Sequence, residues 1–281
     1  IDSSMLAFLA PCFAASLILA GIHAYLGVHV VERGVIFVDL SLAQIAALGA
    51  TIALLLPISN GDPHAPFVYW ISLAFTFMGA FVFSTIRSKR GRIPQEAIIG
   101  ICYAVASAAA ILAMSKATSE SEHLKDMLVG NILAVNWYTV IKTAILYSLV
   151  GLFHFIFRKK FLAISVGAHT GTGETDVKNL KFWDFLFYTS FGFVVTSSVA
   201  IAGVLLVFSY LIVPSVAAML FATSIGKRLA IGWSMGALVT LLGVLLSFKL
   251  DLPTGATIVC TFGIALSLMA IARIFIRPKL A

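Results

Sequence analysis

The chain has 281 residues, of which 60% are hydrophobic and 11% charged, whereas about 25% of residues are charged in an average soluble domain. This composition excludes an ordinary soluble fold, and continuous apolar runs of about 20 residues indicate an all-α polytopic membrane protein rather than a β-barrel. The net charge of +7 is explained by basic loops between membrane spans, so it does not call for nucleic acid.

The first half of the chain contains five apolar runs that we predict to span the membrane. They cover residues 5–26, 34–56, 67–86, 95–114 and 138–157. A short helix at the outer surface is predicted over 128–135. The first run is too long for the apolar region of a signal peptide, and because the sequence starts at Ile1 rather than Met, we expect residues to precede it.

The second half begins with a predicted polar cytoplasmic loop at 158–182. The apolar run that follows, 183–221, is too long for one span, so we place a turn near 200–203 and obtain spans six and seven. The last two spans are predicted at 229–248 and 255–274. Nine spans result, and eight remain possible if 183–221 is one long broken helix.

The segment 215–228 is predicted to be a short helix at the cytoplasmic surface, which starts after Pro214 and ends at the basic pair Lys227 and Arg228. With this folding, all but four of the 19 Lys and Arg residues lie on one side of the membrane. The exceptions are Lys116, Lys125, Lys142 and Lys249. The asymmetry predicts an outer N-terminus and a cytoplasmic C-terminus in one multi-pass domain.

Asp39 is the one acid that we place well inside a predicted span, and intramembrane ionisable residues are costly enough to suggest function. Gln44 follows near the predicted midplane, and Ser41 shares its helix face. A polar seam for a cation could therefore run along this span. The alternative is structural: Asp39 pairs with an Arg near the inner surface, and Gln44 hydrogen-bonds a neighbouring helix.

Other residues give weaker signals. The six histidines have no metal-binding spacing, and we expect most to be interfacial or solvated. The three cysteines form no paired motif. The glycine-rich stretch 167–176 lacks the Gly-Lys-Ser/Thr of a phosphate-binding loop, and no catalytic constellation is visible. We therefore expect neither ATP hydrolysis nor a permanently bound cofactor.

Several blocks of this sequence resemble the ABC-3 family, the membrane permeases of zinc, manganese and iron ABC importers. YLGVHVVERGVIFVDLSLAQIAALGA (25–50) is similar to its N-terminal signature. PQEAIIGICYAVASAAAILA (94–113) and DMLVGNILAV (126–135) resemble the next blocks. GVLLVFSYLIVPSVAAMLFATSIGKRLAI (203–231) and LDLPTGATIV (250–259) resemble the C-terminal signature. The blocks occur in the family's order over nearly the whole chain.

The resemblance implies a type II ABC importer-like permease in a bacterial inner membrane. It implies a homodimer, cytoplasmic ABC ATPase subunits, an extracytoplasmic metal-binding protein, and a divalent metal ion as substrate. ATPase coupling is expected at the segment after Pro214. The residues concerned are Ser215, Val216, Ala217, Ala218, Met219, Leu220 and Thr223.

One departure from the family concerns the predicted metal path. The family carries an Asp and, four residues on, a His in this span; aligned on Gly49, the chain has Leu40 and Gln44 there, with Asp39 one residue earlier. Imidazole suits Zn²⁺, whereas carboxylate and amide oxygens suit harder ions, so zinc selectivity is in question. Two alternatives stay open: a permease for a chelated metal or small organic cofactor, and an intramembrane enzyme or ion-driven transporter without an ATPase.

Overall fold

A computed structural model describes residues 3–59, 65–86, 94–115, 132–169 and 178–276. Within these ranges the chain forms ten α-helices and two short 3-10 turns, Pro57–Ser59 and Ile132–Ala134. The helices are α1 (Ser3–Arg33), α2 (Val38–Leu55), α3 (Pro66–Ile86), α4 (Gln95–Met114), α5 (Trp137–Ile156), α6 (Arg158–His169), α7 (Leu180–Ala202), α8 (Val204–Phe221), α9 (Ile225–Leu250) and α10 (Thr254–Ile276).

Nine of these ten described helices, all except α6, are long and apolar enough to cross a membrane. The predicted all-α architecture with nine spans is therefore confirmed. The alternative of eight spans is wrong, because α7 ends at Ala202 and α8 begins at Val204. Gly203 separates them with a φ of +77°, a backbone conformation that residues with a side chain rarely adopt.

A second glycine sets the junction between the first two helices. α1 continues to Arg33, beyond its predicted end at residue 26, and Gly34 ends it with a φ of +65°. α2 begins only at Val38, four residues later than predicted. Arg33 therefore lies on a helix rather than in a loop, and Asp39 lies in the first turn of the next one.

The predicted loop at 158–182 is wrong for its first part, which forms α6. Phe161, Ile164 and Ser165 are buried along one side of this helix, at the i, i+3, i+4 spacing of an amphipathic helix. Residues 170–177 lie outside the described part. The short helix predicted at 128–135 falls largely outside it too, and its described end contains the 3-10 turn Ile132–Ala134.

The separate short helix predicted after Pro214 is also wrong, because α8 runs without interruption from Val204 to Phe221 and contains that proline. Membrane helices tolerate proline when local adjustments and neighbouring groups satisfy the backbone groups it frees. A tight turn at 222–224 leads into α9, so Lys227 and Arg228 belong to the first turn of α9.

Backbone contacts group the chain into two compact units. One comprises residues 1–31, 128–149 and 201–281. In this unit α1 and α8 approach so closely at Gly27 that a Cβ there would overlap the Leu211 carbonyl oxygen and the Ser215 Oγ. The Trp233 indole donates to the Gly21 carbonyl at 2.9 Å, which connects α9 to α1. Small residues and interhelical hydrogen bonds are the usual means of packing helices in lipid.

The other unit comprises residues 32–127 and 150–200, and α2 packs in it against α3 and α4. A Cβ on Gly49 of α2 would lie 2.9 Å from the Phe75 Cβ on α3, so the helices touch backbone to side chain. Ser72 donates to the Ala46 carbonyl at 2.7 Å across the same interface. Such bonds contribute about 0.6 kcal/mol each on average in membranes, so close packing provides most of the stability of this interface.

Candidate functional site: an unpartnered carboxylate on helix α2

Asp39 lies in the first turn of α2, at the end of the helix rather than well inside it. α2 has 18 residues and is about 27 Å long, so Asp39 is within about 2 Å of its start. Gln44 is about 9 Å along the helix, near but short of its centre. The predicted depth of Asp39 is therefore corrected, because the helix begins at Val38 and not at Gly34.

The Asp39 side chain is fully buried, and neither carboxylate oxygen has a hydrogen-bond partner among the described residues. The structural alternative from the sequence, an ion pair with a nearby arginine, is not found among the described residues. The nearest arginine in sequence, Arg33, bonds Asp184 instead. A carboxylate buried without a counter-charge is costly in lipid, and a cation would supply what this one lacks.

Ser41 and Gln44 do not lie beside Asp39. Successive residues turn by about 100° around an α-helix, which puts Ser41 on nearly the opposite side of α2 and Gln44 about 140° away from Asp39. Ser41 is buried, and its hydroxyl oxygen also lacks a partner from any described residue. Gln44, at 9% exposure, is the least buried of the three. The described structure thus does not unite the predicted residues into one coordination sphere.

A second acid, Glu96, lies at the same end of α2 as Asp39, and it was not predicted from the sequence. Its carboxylate oxygen accepts the backbone N–H of Phe37 at 3.0 Å, immediately before α2 begins. Its other oxygen has no partner within the ranges that the structure describes. Two carboxyl groups, one from α4 and one from α2, therefore meet the N-terminal end of α2. The position of Glu96 in the first turn of α4 was the available signal.

A buried ion pair was missed as well. Arg33 donates to Asp184 at 2.8 Å, with 2% and 0% of their side chains exposed, and its Nε donates to Ser165 at 3.0 Å. The guanidinium also lies 3.8 Å from the centre of the Phe187 ring. This cluster joins the end of α1 to α6 and α7. The guanidinium charge is paired with the Asp184 carboxylate, so the arrangement suits a structural role.

The three histidines whose side chains the structure describes are buried rather than interfacial or solvated: His23, His29 and His154. His154 shares a hydrogen bond of 2.8 Å with Ser190 and stacks on Phe161, and burial of this kind satisfies an imidazole without a metal. Within the described residues, no three His, Cys, Asp or Glu side chains come together as a metal centre. The side chains of His64, His123 and His169 lie outside the described set.

The predicted coupling residues divide by accessibility. Ser215, Ala217 and Ala218 are buried, and the Ser215 hydroxyl contacts the Leu211 and Ala24 carbonyl oxygens. Val216 and Leu220 are half-buried. Met219 and Thr223 are exposed at the end of α8 and in the following turn. Only these last two present much side-chain surface in this conformation.

The described helices define a multi-pass α-helical membrane protein with a buried, unpartnered acid at the end of one span. The sequence profile of the ABC 3 transport family matches residues 5–274. Because this match extends over nearly all of the sequence, the chain belongs to the ABC 3 transport family, as its sequence blocks indicated.

Named relatives agree with this assignment, and a solved structure shares the fold. The manganese transport system membrane protein MntC of Listeria monocytogenes is 25% identical over 256 residues, which cover 90% of this chain and 86% of that one. The manganese import system permease protein ScaB of Streptococcus parasanguinis is 27% identical over 218 residues, 72% of each chain. The structure of PsaBC from Streptococcus pneumoniae in complex with Fab has a TM-score of 0.75 at 22% identity, covers 97% of this chain and 92% of the other, and shares its fold.

Proposed function

We propose that this chain is the membrane permease subunit of an ABC importer for a divalent metal ion, with Mn²⁺, Fe²⁺ and Zn²⁺ as the candidate substrates. Membership of the ABC 3 transport family and the printed names of two manganese-transport relatives support this. The observation that carries the proposal is the Asp39 carboxylate, which is fully buried and whose two oxygens have no partner in the described part of the chain. A passing cation would provide its counter-charge.

Asp39 acts in this proposal as a transient ligand of the metal. Glu96 adds a second carboxylate at the same end of α2, since its oxygen reaches the Phe37 N–H. Ser41 and Gln44 lie on other sides of α2 and supply hydroxyl and amide oxygens elsewhere along the path. A set of oxygen donors without imidazole favours hard ions, so Mn²⁺ is the preferred substrate over Zn²⁺.

The remaining parts of the proposal concern assembly. Two copies of the chain form the path between them, separate ABC ATPase subunits supply the energy, and an extracytoplasmic protein delivers the ion. The chain lies in the bacterial inner membrane with its N-terminus outside and its C-terminus in the cytoplasm. It is itself non-catalytic and holds no permanent cofactor. Met219 and Thr223, the exposed members of the predicted coupling segment, form the contact with the ATPase.

The test is ATP-dependent accumulation of Mn²⁺, Fe²⁺ and Zn²⁺ in proteoliposomes that contain the permease, its ATPase and its binding protein. Elemental analysis of the vesicle contents gives the ion directly. We expect Mn²⁺ to accumulate in preference to Zn²⁺, and only with ATP. A complex that hydrolyses ATP but accumulates no free ion would refute the proposed substrate and favour a chelated metal or small organic cofactor instead.

A further inference from the structure

Five exposed cations lie on the unit that contains α6 and α7, and the proposed transport function does not use them. They fall in two groups, one at the start of α6 and one at the start of α7. The residues are Arg158, Lys159, Lys160, Lys178 and Lys181. Within the described part of the chain, none of the five forms an ion pair with a carboxylate.

Trp183, two residues after Lys181 in the sequence, brings the start of α7 against the start of α6. The Lys160 ammonium lies 4.1 Å from the centre of the Trp183 ring, and that ring packs edge-on against Phe161 of α6. Arg33 also links the two helices, because it donates hydrogen bonds both to Ser165 of α6 and to Asp184 of α7. The starts of α6 and α7 therefore lie beside each other, so Lys160 and the segment that carries Lys181 are close in space.

The one acid on the described parts of α6 and α7 does not neutralise this surface. Asp184 is the one acid on the described parts of α6 and α7, and it is buried against Arg33. Glu174 and Asp176 lie between the helices in the sequence, outside the described residues. The described surface is consequently a patch of positive charge only.

The patch adjoins lipid-facing side chains. α5, a candidate span, ends at Ile156, and Phe155 and Ile156 are each more than 60% exposed. The Arg158 guanidinium lies 4.3 Å from the centre of the Phe155 ring. Basic side chains at a membrane boundary commonly lay their apolar stem along such a surface and direct their charge to the headgroups. Phe182, beside Lys181, is 55% exposed. Cations thus begin where the apolar surface ends.

We propose that this basic patch around Trp183 binds the phosphate headgroups of anionic phospholipids at one face of the membrane. Lys and Arg clusters directly beside a membrane helix attract anionic lipid electrostatically, and the exposed Phe155 and Phe182 rings provide contact for the acyl chains. The occupant is a lipid rather than free phosphate, because the charged and apolar surfaces adjoin.

The test is native mass spectrometry of the purified full chain with phosphatidylglycerol or phosphatidylcholine of identical acyl chains. A variant with Lys159, Lys160, Lys178 and Lys181 all changed to Gln is compared with one in which the same four are changed to Arg. We expect the wild type and the Arg variant to prefer phosphatidylglycerol by at least about tenfold, and the Gln variant to lose that preference. An undiminished preference in the Gln variant overturns the proposal.

Two further measurements keep the proposal testable if the Gln variant folds poorly. In the wild type, the preference should fall as salt rises from about 0.05 M to 0.5 M, since screening weakens exposed charges; a salt-independent preference contradicts the proposal. Soluble glycerol phosphate at the same concentration should not displace the lipid, and equal displacement would assign the patch to free phosphate.

Loss of ATPase binding by the Gln variant, with lipid preference intact, would make the patch a protein interface instead.

Discussion

Arg33 and Asp184 are 151 residues apart in the sequence, yet their side chains meet at 2.8 Å and are almost completely buried. The pair connects the last residue of α1 to the first turns of α7, and a second hydrogen bond from Arg33, to Ser165, connects α1 to α6. A buried charge pair is costly to break from one side only, because the remaining charge is then left without a partner. The effect of breaking this pair on the free energy of unfolding can therefore be predicted without any assumption about function.

Changing Asp184 to Ala should lower the free energy of unfolding by about 3–5 kcal/mol, because the Arg33 guanidinium stays buried without its carboxylate. Thermal unfolding of the purified protein in detergent measures this. The double variant Arg33→Gln with Asp184→Asn removes both charges and should recover a large part of the loss. If the single and double variants are equally unstable, the loss comes from packing and not from the unpaired charge.

Gly49→Ala should destabilise the contact between α2 and α3. The new Cβ would lie 2.9 Å from the Phe75 Cβ and 3.0 Å from the Ser72 Cα, and overpacking of this kind costs about 1–3 kcal/mol. Gly100→Ala in α4 is the matched control, since a Cβ there meets nothing within 4 Å. Thermal unfolding should separate the two variants, and equal stability would show that α2 and α3 can move apart at little cost.

Met219→Glu with Thr223→Glu should weaken binding of the ATPase, because both side chains are exposed at the end of α8 and the turn after it. Co-purification of the ATPase with the permease measures the effect. Lys249→Glu provides a control at an exposed residue at the other end of α9. A fully retained ATPase would mean that the coupling contact lies elsewhere. A charged residue at the buried Ala218 would be a poorer test, since loss of ATPase binding could then come from disturbed folding.

Glu96→Gln should raise the metal concentration needed for half-maximal uptake while leaving thermal stability unchanged. The amide oxygen of Gln can still accept the Phe37 N–H, so the start of α2 keeps its hydrogen bond and loses only a charge. Uptake in proteoliposomes over a range of metal concentrations measures this. An unchanged dependence on metal would remove Glu96 from the proposed path.

The sequence predicted the membrane spans well because apolar run length is a direct consequence of bilayer thickness. It also predicted the break near Gly203, because the apolar run at 183–221 is about twice as long as one span requires. It did not predict α6, since only three buried side chains on one face distinguish that helix from a polar loop. Pro214 was interpreted as a helix end, but a proline inside a membrane helix can be accommodated.

For the candidate site, the sequence identified Asp39 because an acid in an apolar run is conspicuous. It could not identify the Arg33–Asp184 pair, because both residues lie at span ends where charges are ordinary, and only tertiary packing brings them together. The angle of about 140° between Asp39 and Gln44 follows from helical periodicity alone, whereas the start of α2 at Val38, which sets the depth of Asp39, came from the structure.

The central claim is that Asp39 binds the transported metal, and Asp39→Asn tests it most directly because the change removes the charge and keeps the shape. The measurement is ATP-dependent metal accumulation in proteoliposomes, with Asp251→Asn as the control. Asp251 is an exposed acid with a φ of +51°, which Asn also tolerates. We expect Asp39→Asn to abolish uptake while the complex assembles normally, and Asp251→Asn to transport like the wild type. Full uptake by Asp39→Asn would contradict the claim.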